Sequence, residues 1–430
     1  MATSDCRKTV LVILVLIALI LPALIGCTSA SVSSQPADNR EARMEEQPQP
    51  ISTGNVDPRL IAANTRFGFK LYAELLKEKP GQNALVSPSS VALALAMTYN
   101  GAEGGTREAM ARALELQGLT LADVNRANAD LKASLENPDP KVQLQIANSL
   151  WSKRGFTFKP DFIKRNTEYY KAEVSELDFN DPAAAARINR WVSDKTNAKI
   201  PKIIDQISPD SILFLINAIY FKGKWANEFD KSATHDEPFY LANGREKKHP
   251  MMRRSGEYRY YEEKGFQAVN LPYGSGRLSM YVFLPAKDSS LDGFHRNLTA
   301  ANWETWMTRF EKSDGEILLP RFTIEFEAEL NGALKALGMG VAFDPAGANF
   351  KNMIQMSENA YINKVKHKTF AEVNEEGTEA AAVTSVDIVA TSVMRPKRTF
   401  KMVVDRPFFC AIRDNQTGSV LFMGSILDPR

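Results

Sequence analysis

The residues that most often carry out hydrolysis show no recognisable catalytic pattern. The chain has four histidines, His235, His249, His295 and His367, and lacks Gly-x-Ser-x-Gly, His-Glu-x-x-His and phosphate-loop sequences. The Gly-Ser-Gly sequence at 274–276 has the wrong spacing for a nucleophile and is typical of a turn. Charged or polar neighbours predict solvent exposure for every histidine except His367. An unrecognised hydrolase is therefore the most remote hypothesis.

The segment Glu375–Ser392 has the composition of a β-strand but the position of a surface connection. It contains a glycine, three consecutive alanines and then a run rich in Val, Thr and Ile. Alternate residues form an uncharged set and a set that carries Glu379 and Asp387, as expected of a strand with one buried face. The Pro-broken basic stretch 394–398 follows, which predicts exposure. Two states are indicated, one exposed and one inserted in a sheet, with an ordinary edge strand as the alternative.

The sequence Glu-Glu-Gly-Thr-Glu-Ala-Ala-Ala at 375–382 resembles the hinge of the reactive loop of serpins, serine protease inhibitors that trap a protease by loop insertion. The stretches 85–110 and 188–200 also resemble this family, as does Leu-Ile-Asn-Ala-Ile-Tyr-Phe-Lys-Gly-Lys-Trp at 215–225. The resemblance covers Val56–Pro429. It implies an α+β fold in which mixed helices pack on a large central β-sheet, with two smaller sheets and an exposed reactive-centre loop.

The resemblance also implies a mechanism and its residues. The hinge residues are Glu375, Gly377, Thr378, Ala380, Ala381 and Ala382. A flexible glycine followed by narrow side chains suits a loop that must enter a sheet. The intact pattern implies an inhibitor, not an enzyme: the target protease cuts the loop and forms an acyl-enzyme, and the loop inserts before the ester is hydrolysed. The alternative is a non-inhibitory serpin that acts as a cell-surface binding protein.

Two further sets of residues match the family. The shutter cluster, beneath the middle of the large sheet, comprises Ser87, Ser90, Asn217 and His367. Buried polar groups of this kind must be paired, so the cluster is expected to hold two strands together and to re-pair when they part. The breach residues, where insertion begins, are Trp225 and Arg321, and Arg321 is expected to pair with Glu375. Without the resemblance, His367 is an ordinary satisfied histidine and Trp225 an ordinary core residue.

The usual family spacing from Gly377 places the reactive bond between Thr391 and Ser392, in a loop a few residues longer than is common. The small residues at 389–391 suit elastase-like or subtilisin-like proteases. Arg395 suits trypsin-like enzymes, but the following proline opposes cleavage there. The expected partners are therefore serine proteases, and the resemblance leaves cysteine proteases open.

The elements that position these residues follow from periodicity. Helical spacing and caps predict helices at 57–79, 91–100, 181–197, 291–310 and 330–337. Apolar runs and alternation predict strands at 142–151, 211–221, 258–261, 266–271, 278–284, 317–326, 361–373, 407–412 and 420–426. Helices lead, strands dominate late and no regular βαβ order occurs, which is typical of an α+β chain.

The amino-terminal region predicts export. Arg7 and Lys8 precede the apolar run 10–24, and Leu-Ile-Gly-Cys at 24–27 is similar to a lipobox, so residues 1–27 are interpreted as a lipoprotein signal peptide with Cys27 lipid-modified. An uncleaved membrane anchor is the alternative. Residues 28–55, rich in Ser, Pro and Glu, predict a flexible linker before the domain at 56–430. We expect a monomer, lipid-anchored to the membrane, at the cell surface or in the periplasm.

Composition narrows the partners. The chain has 53 basic and 51 acidic residues among 430, a net charge of +2, and its basic residues are scattered, so nucleic acid is not an expected partner. No metal or other cofactor is predicted. With Cys6 removed and Cys27 lipidated, Cys410 is the remaining cysteine, so no intrachain disulfide is expected. Its apolar neighbours predict a buried thiol.

Overall fold

A computed structural model describes residues 56–136, 138–208, 211–355, 360–378 and 399–430 of the chain. They belong to one compact unit, Pro50–Arg430. The predicted signal peptide and linker lie outside the described residues, and so does most of the predicted loop. The site residues outside them are Cys27, Ala380, Ala381, Ala382, Thr391 and Ser392.

The helices of the described residues are α1 (Pro58–Glu78), α2 (Pro88–Tyr99), α3 (Gly104–Ala113), α4 (Leu121–Leu135), α5 (Pro160–Tyr170), α6 (Ala184–Lys195), α7 (Leu291–Asn297), α8 (Ala300–Met307) and α9 (Asn331–Leu334). Helix α1 begins as predicted, with proline in the first turn and the Asp57 carboxylate accepting from the Arg59 amide. All residues of α2 are buried, which agrees with its uncharged sequence. None of the described helices is long and apolar enough to cross a membrane.

The strands are β1 (Ala84–Val86), β2 (Val142–Lys153), β3 (Glu173–Leu177), β4 (Leu213–Lys224), β5 (His235–Tyr240), β6 (Glu246–Glu263), β7 (Phe266–Tyr273), β8 (Leu278–Pro285), β9 (Glu311–Pro320), β10 (Phe322–Glu329), β11 (Lys364–Asn374), β12 (Gly377–Thr378), β13 (Thr399–Val403), β14 (Phe408–Asp414) and β15 (Val420–Ile426). These are the strands of the described residues, and they form two sheets. The order β1-β15-β14-β8-β7-β6-β9-β13, with β5 added to β6, gives nine strands, and β10-β11-β12-β4-β2-β3 gives six.

The six-stranded sheet has β4 near its middle, covered on both faces. On one face, Ile188 and Val192 of α6 belong to a buried cluster with Phe214 and Ile216 of β4. On the other face, Leu215 and its alternate neighbours join the main core with α2. The near-continuous apolar sequence of β4 follows from this double burial, as predicted.

The nine-stranded sheet is continuous because β6 is long. Its first part pairs with β5, its middle with β9 over Met251–Tyr260, and its end with β7 over Arg259–Glu263. Cys410, on β14, is buried as predicted, and it is a free cysteine. Burial raises the pKa of its thiol to about 12.

Two predicted elements are each divided in the structure. The strand predicted at 317–326 is two strands, β9 and β10, which belong to different sheets and meet at Arg321. The helix predicted at 291–310 ends at Asn297, and α8 begins anew with Thr299, whose hydroxyl accepts from the Asn302 amide. Continuous apolar spacing hid both breaks, since a side chain can remain buried while the backbone changes direction.

Candidate functional site at the hinge and the sheet opening

Gly377 and Thr378 of the predicted hinge lie inside the six-stranded sheet. Strand β12 is paired antiparallel with both neighbours: Thr378 lies opposite Val373 of β11 and Gly223 of β4. Farther along the sheet β11 and β4 pair directly and in parallel, over Lys364–Phe370. The two strands thus part at one end, and β12 fills the gap. The described part of this segment is a central strand, which excludes the edge-strand alternative there.

Gly377 is required by this close approach. Its φ is 148°, in a region that favours glycine, and a Cβ on it would lie 2.0 Å from the Gly223 carbonyl oxygen. Every other residue type would collide with the β4 backbone. The hinge therefore needs glycine at this position because a side chain would not fit between the strands, as well as for flexibility.

Thr378 points into the interior and is fully buried. Its hydroxyl lies 2.8 Å from the hydroxyl of Tyr273, at the end of β7. The Tyr273 ring stacks on Trp225, with centroids 4.4 Å apart and planes 11° from parallel. The hinge is thereby connected to the nine-stranded sheet through a buried hydrogen bond.

Trp225 holds the turn that precedes β12. Its indole Nε1 donates to the Asn374 carbonyl at 2.9 Å, and its backbone amide donates to the Glu376 carbonyl at 2.9 Å. The amide of Phe229 donates to the Glu375 carbonyl at 2.8 Å. Three carbonyls of the turn are therefore fixed by the segment that follows β4.

Both acidic residues of this turn are buried and paired. Arg321 Nε donates to Glu375 Oε1 at 2.7 Å, so the ion pair predicted from the sequence is present, and the Thr234 hydroxyl donates to the same oxygen at 2.6 Å. Burial raises the pKa of Glu375, but these hydrogen bonds outweigh it, and the pKa lies below its ordinary value. Glu376 is paired with the Lys231 ammonium.

The shutter cluster joins β11 to β4 and to α2. His367 and Asn217 are register partners, and the His367 Nδ1 donates to Asn217 Oδ1 at 2.6 Å while its Nε2 accepts from the Ser87 amide at 3.1 Å. The side-chain Nδ2 of Asn217 donates in turn to the Ser90 carbonyl at 3.1 Å and to Asn148 Oδ1 at 2.6 Å. Burial lowers the pKa of His367 to about 3, so the imidazole is neutral and each ring nitrogen has one partner.

Comparison with known proteins agrees with this geometry. The family model of serpin (serine protease inhibitor) matches residues 62–429. The chain belongs to the serpin family. Members of this family are protease inhibitors rather than enzymes. The serpin fold expected from the sequence is confirmed by the solved structures that resemble the chain.

Relatives cover nearly the whole serpin domain. An uncharacterized serpin-like protein of Thermococcus kodakarensis is 35% identical over 99% of both chains. The human leukocyte elastase inhibitor is 33% identical, over 86% of this chain and 99% of its own. The crystal structure of the thermophilic serpin tengpin in the native state has a TM-score of 0.82 and 34% identity, and the match covers 88% of this chain and 97% of that chain.

The residues that were named from the resemblance to serpins form two groups in the structure. The described hinge residues lie with Trp225 and Arg321 at the open end of the sheet, and the shutter cluster lies where β11 and β4 pair directly. Ser87 takes part through its backbone, since its hydroxyl has no hydrogen-bond partner among the described protein groups. Sequence reasoning missed Tyr273, Lys231 and Asn148, all of which touch these residues. No local signal marks Tyr273, because its partner Thr378 is 105 residues away in the chain.

Two histidines do not have the surroundings predicted for them. His249 is buried, and its Nε2 donates to the Arg321 carbonyl at 2.6 Å. The Nε2 of His295 lies 2.8 Å from the Ser425 hydroxyl, and burial lowers its pKa to about 4. Their polar neighbours in the sequence suggested solvent exposure, and that prediction was wrong for these two residues. His235 is exposed as expected.

Proposed function

We propose that this serpin inhibits serine-type endopeptidases by suicide-substrate trapping, in which the cleaved loop inserts in the six-stranded sheet. The observation that supports it is β12: Gly377 and Thr378 already occupy the slot between β4 and β11. The uncharged side chain of Thr378 faces the core, and the alanines at 380–382 continue the sequence with equally narrow side chains. Insertion can therefore extend a strand that has begun.

The pairing of β4 and β11 also supports a driving force for the proposed insertion. Beyond β12 the strands β4 and β11 pair with each other, over Phe214–Tyr220 and Lys364–Phe370. An inserted strand would pair with both and convert one ladder of backbone hydrogen bonds into two, while burying alternate apolar side chains. Insertion after cleavage would then carry the acylated protease away with residue 391 before water hydrolyses the ester.

The target class follows from the residues before the proposed reactive bond, Thr391–Ser392. Val, Ala and Thr at 389–391 are small, and small side chains suit the narrow pockets of elastase-like and subtilisin-like proteases. A relative that is named leukocyte elastase inhibitor supports the same class. Elastase-like or subtilisin-like enzymes are therefore the proposed targets.

The location rests on the amino-terminal sequence. A lipid on Cys27 and a linker of residues 28–55 would hold a monomeric inhibitor away from a membrane surface, at the cell surface or in the periplasm. Radiolabelled palmitate is expected to be incorporated into the wild-type protein and not into Cys27→Ala. A wild-type protein in the membrane fraction that takes up no label would favour the uncleaved anchor.

The direct test is to incubate the purified protein with pancreatic elastase and, separately, with trypsin, and to run the boiled mixtures on a denaturing gel. A band at the summed mass with elastase supports covalent trapping, and sequencing the released peptide locates the reactive bond. Loop cleavage with no such band across a panel of serine proteases, without a gain in thermal stability after the cut, would instead support the non-inhibitory binding protein.

A further inference from the structure

The turn between β7 and β8 reaches out of the nine-stranded sheet and lies on the end of β4. Tyr273 forms an isolated bridge with Trp225, the Gly274 amide donates to the Lys224 carbonyl at 2.9 Å, and the Ala226 amide donates to the Pro272 carbonyl at 2.8 Å. Backbone hydrogen bonds therefore fix this turn to the strand beside which the hinge is inserted.

The Asp139 carboxylate fastens the same turn from the other side. Its Oδ2 accepts from the Ser275 amide at 2.7 Å, and its Oδ1 accepts from the Lys141 amide at 2.8 Å. Asp139 is buried and lies shortly before Val142, the first residue of β2, which pairs with β4. The turn is thus held by the segments at the ends of two strands of the six-stranded sheet.

Tyr273 is the side chain by which this fixed turn contacts the hinge. Its ring packs directly over Gly223, where an added Cβ would lie 2.9 Å from the ring, and Gly223 is the β4 register partner of Thr378. Its hydroxyl then meets the hydroxyl of Thr378 at 2.8 Å, with both residues fully buried. The ring cannot withdraw easily, because Trp225 covers one face.

We propose that Tyr273 is a positioning residue, whose hydroxyl holds Thr378 between β4 and β11 and so keeps the hinge docked before the loop is cut. Removing either hydroxyl leaves the other buried without this partner. Opening the hinge relieves that cost, because it lets water reach the remaining group, so opening becomes more frequent. Removing both hydroxyls eliminates the unsatisfied group and restores much of the docking.

The test measures hydrogen exchange of the amides of residues 377–378 in the full chain, with no protease present. Tyr273→Phe and Thr378→Val are each expected to speed exchange by a factor of about 5 to 150, the range that loss of one partner of a buried hydrogen bond spans. The double variant is expected to exchange more slowly than Tyr273→Phe alone. Such non-additivity indicates a direct interaction between the two side chains.

Tyr72→Phe is the matched control. The Tyr72 hydroxyl forms an equally buried hydrogen bond, 2.6 Å from the Ser425 hydroxyl, in a part of the core that does not touch the hinge. Tyr72→Phe removes the same atom as Tyr273→Phe, and it should leave amide exchange at residues 377–378 unchanged. Equal effects of Tyr72→Phe and Tyr273→Phe, or effects of Tyr273→Phe and Thr378→Val that simply add, would overturn the assignment.

A consequence for inhibition rests on the proposed function. If a docked hinge speeds insertion, Tyr273→Phe should raise the number of inhibitor molecules cleaved for each protease trapped, with Tyr72→Phe again unchanged. The two ideas fail differently. A wild-type protein that traps no protease refutes the proposed function but leaves the exchange result intact, whereas unchanged exchange in Tyr273→Phe refutes the positioning role even if trapping occurs.

Discussion

His367 and Asn217 lie directly opposite each other on β11 and β4, and a 2.6 Å hydrogen bond from Nδ1 to Oδ1 joins their side chains. Any strand that inserts between β11 and β4 must break this bond. Because the Ser87 amide donates to the other ring nitrogen, the imidazole has no free position for a second proton. The closed sheet therefore requires neutral His367.

Acidification should weaken the closed sheet through this residue. The pKa of His367 is lowered to about 3 by burial, below its ordinary value of 6.5, so the unfolded chain binds the proton more readily. The contribution of neutral His367 to the free energy of unfolding is complete above pH 6.5. It decreases as the pH falls toward 3, by up to about 1.4 kcal/mol per pH unit. His367→Gln should flatten the pH dependence of the thermal midpoint over this range; parallel curves for the two proteins would contradict it.

Thr378→Arg should convert the inhibitor into a substrate. The side chain at this position is fully buried beside Tyr273, and an unpaired guanidinium cannot be buried there without a large cost, so the strand would stop entering. We expect almost no covalent complex with elastase and complete loop cleavage. Thr378→Ser keeps the hydroxyl and is the control; it should trap the protease at close to the wild-type ratio. Undiminished trapping by the arginine variant would refute the insertion mechanism.

Arg321→Ala should destabilise the hinge by about 1–3 kcal/mol, because it removes a hydrogen-bond donor from a buried carboxylate. Glu375 is 2% exposed, although Arg321 itself is 42% exposed. Since the pKa of Glu375 lies below its ordinary value of 4.5, the stabilisation is present above that pH and is lost as the pH falls further. Thermal unfolding of the wild type and the variant should therefore converge at low pH.

A surface ion pair provides the control for Arg321. Lys312 contacts Glu257 at 2.8 Å, with both side chains largely exposed, and pairs of this kind contribute about 0–1 kcal/mol. Lys312→Ala should shift the midpoint little. If the two variants were equally stable, Arg321 would have no special effect on the hinge.

Thr391→Arg should redirect inhibition from elastase to trypsin, because trypsin-like pockets bind a basic residue before the cut. The rate of covalent complex formation with each enzyme would be measured from a quenched time course on denaturing gels. Thr391→Val, which keeps a small side chain, should retain elastase as the target. Unchanged rates with both enzymes for the arginine variant would place the reactive bond elsewhere in the loop.

The sequence predicted the elements of this fold better than their connections. Helix α1 and strand β4 follow from local patterns: a capped amphipathic run, and an apolar run too continuous for a half-exposed strand. The break at Arg321 does not, since β9 and β10 are distinguished by the sheets they join and not by their own residues. Long-range pairing determined that boundary.

The same distinction holds for the site. Ser90, Asn217 and His367 could be named from the family resemblance, and Asn217 is also the polar residue of an otherwise apolar run. Tyr273 could not, because its partner Thr378 is 105 residues away in the chain and its neighbours are those of an ordinary turn. The burial of His249 and the partial burial of His295 were missed for the same reason: their partners, Arg321 and Ser425, are distant in the chain.

Because the thiol of Cys410 is buried, a fluorescent label can be attached selectively at a cysteine introduced near the hinge. With its pKa raised to about 12 and its side chain enclosed, the folded protein keeps this thiol protonated and out of reach of alkylating reagents. Ser232 is exposed and adjoins Lys231, which pairs with Glu376. Among the described residues, a cysteine introduced at position 232 would react with the dye, whereas Cys410 would not. A single dye attached there would report strand entry in real time as a change in fluorescence, while the protease reaction proceeds in the same cuvette.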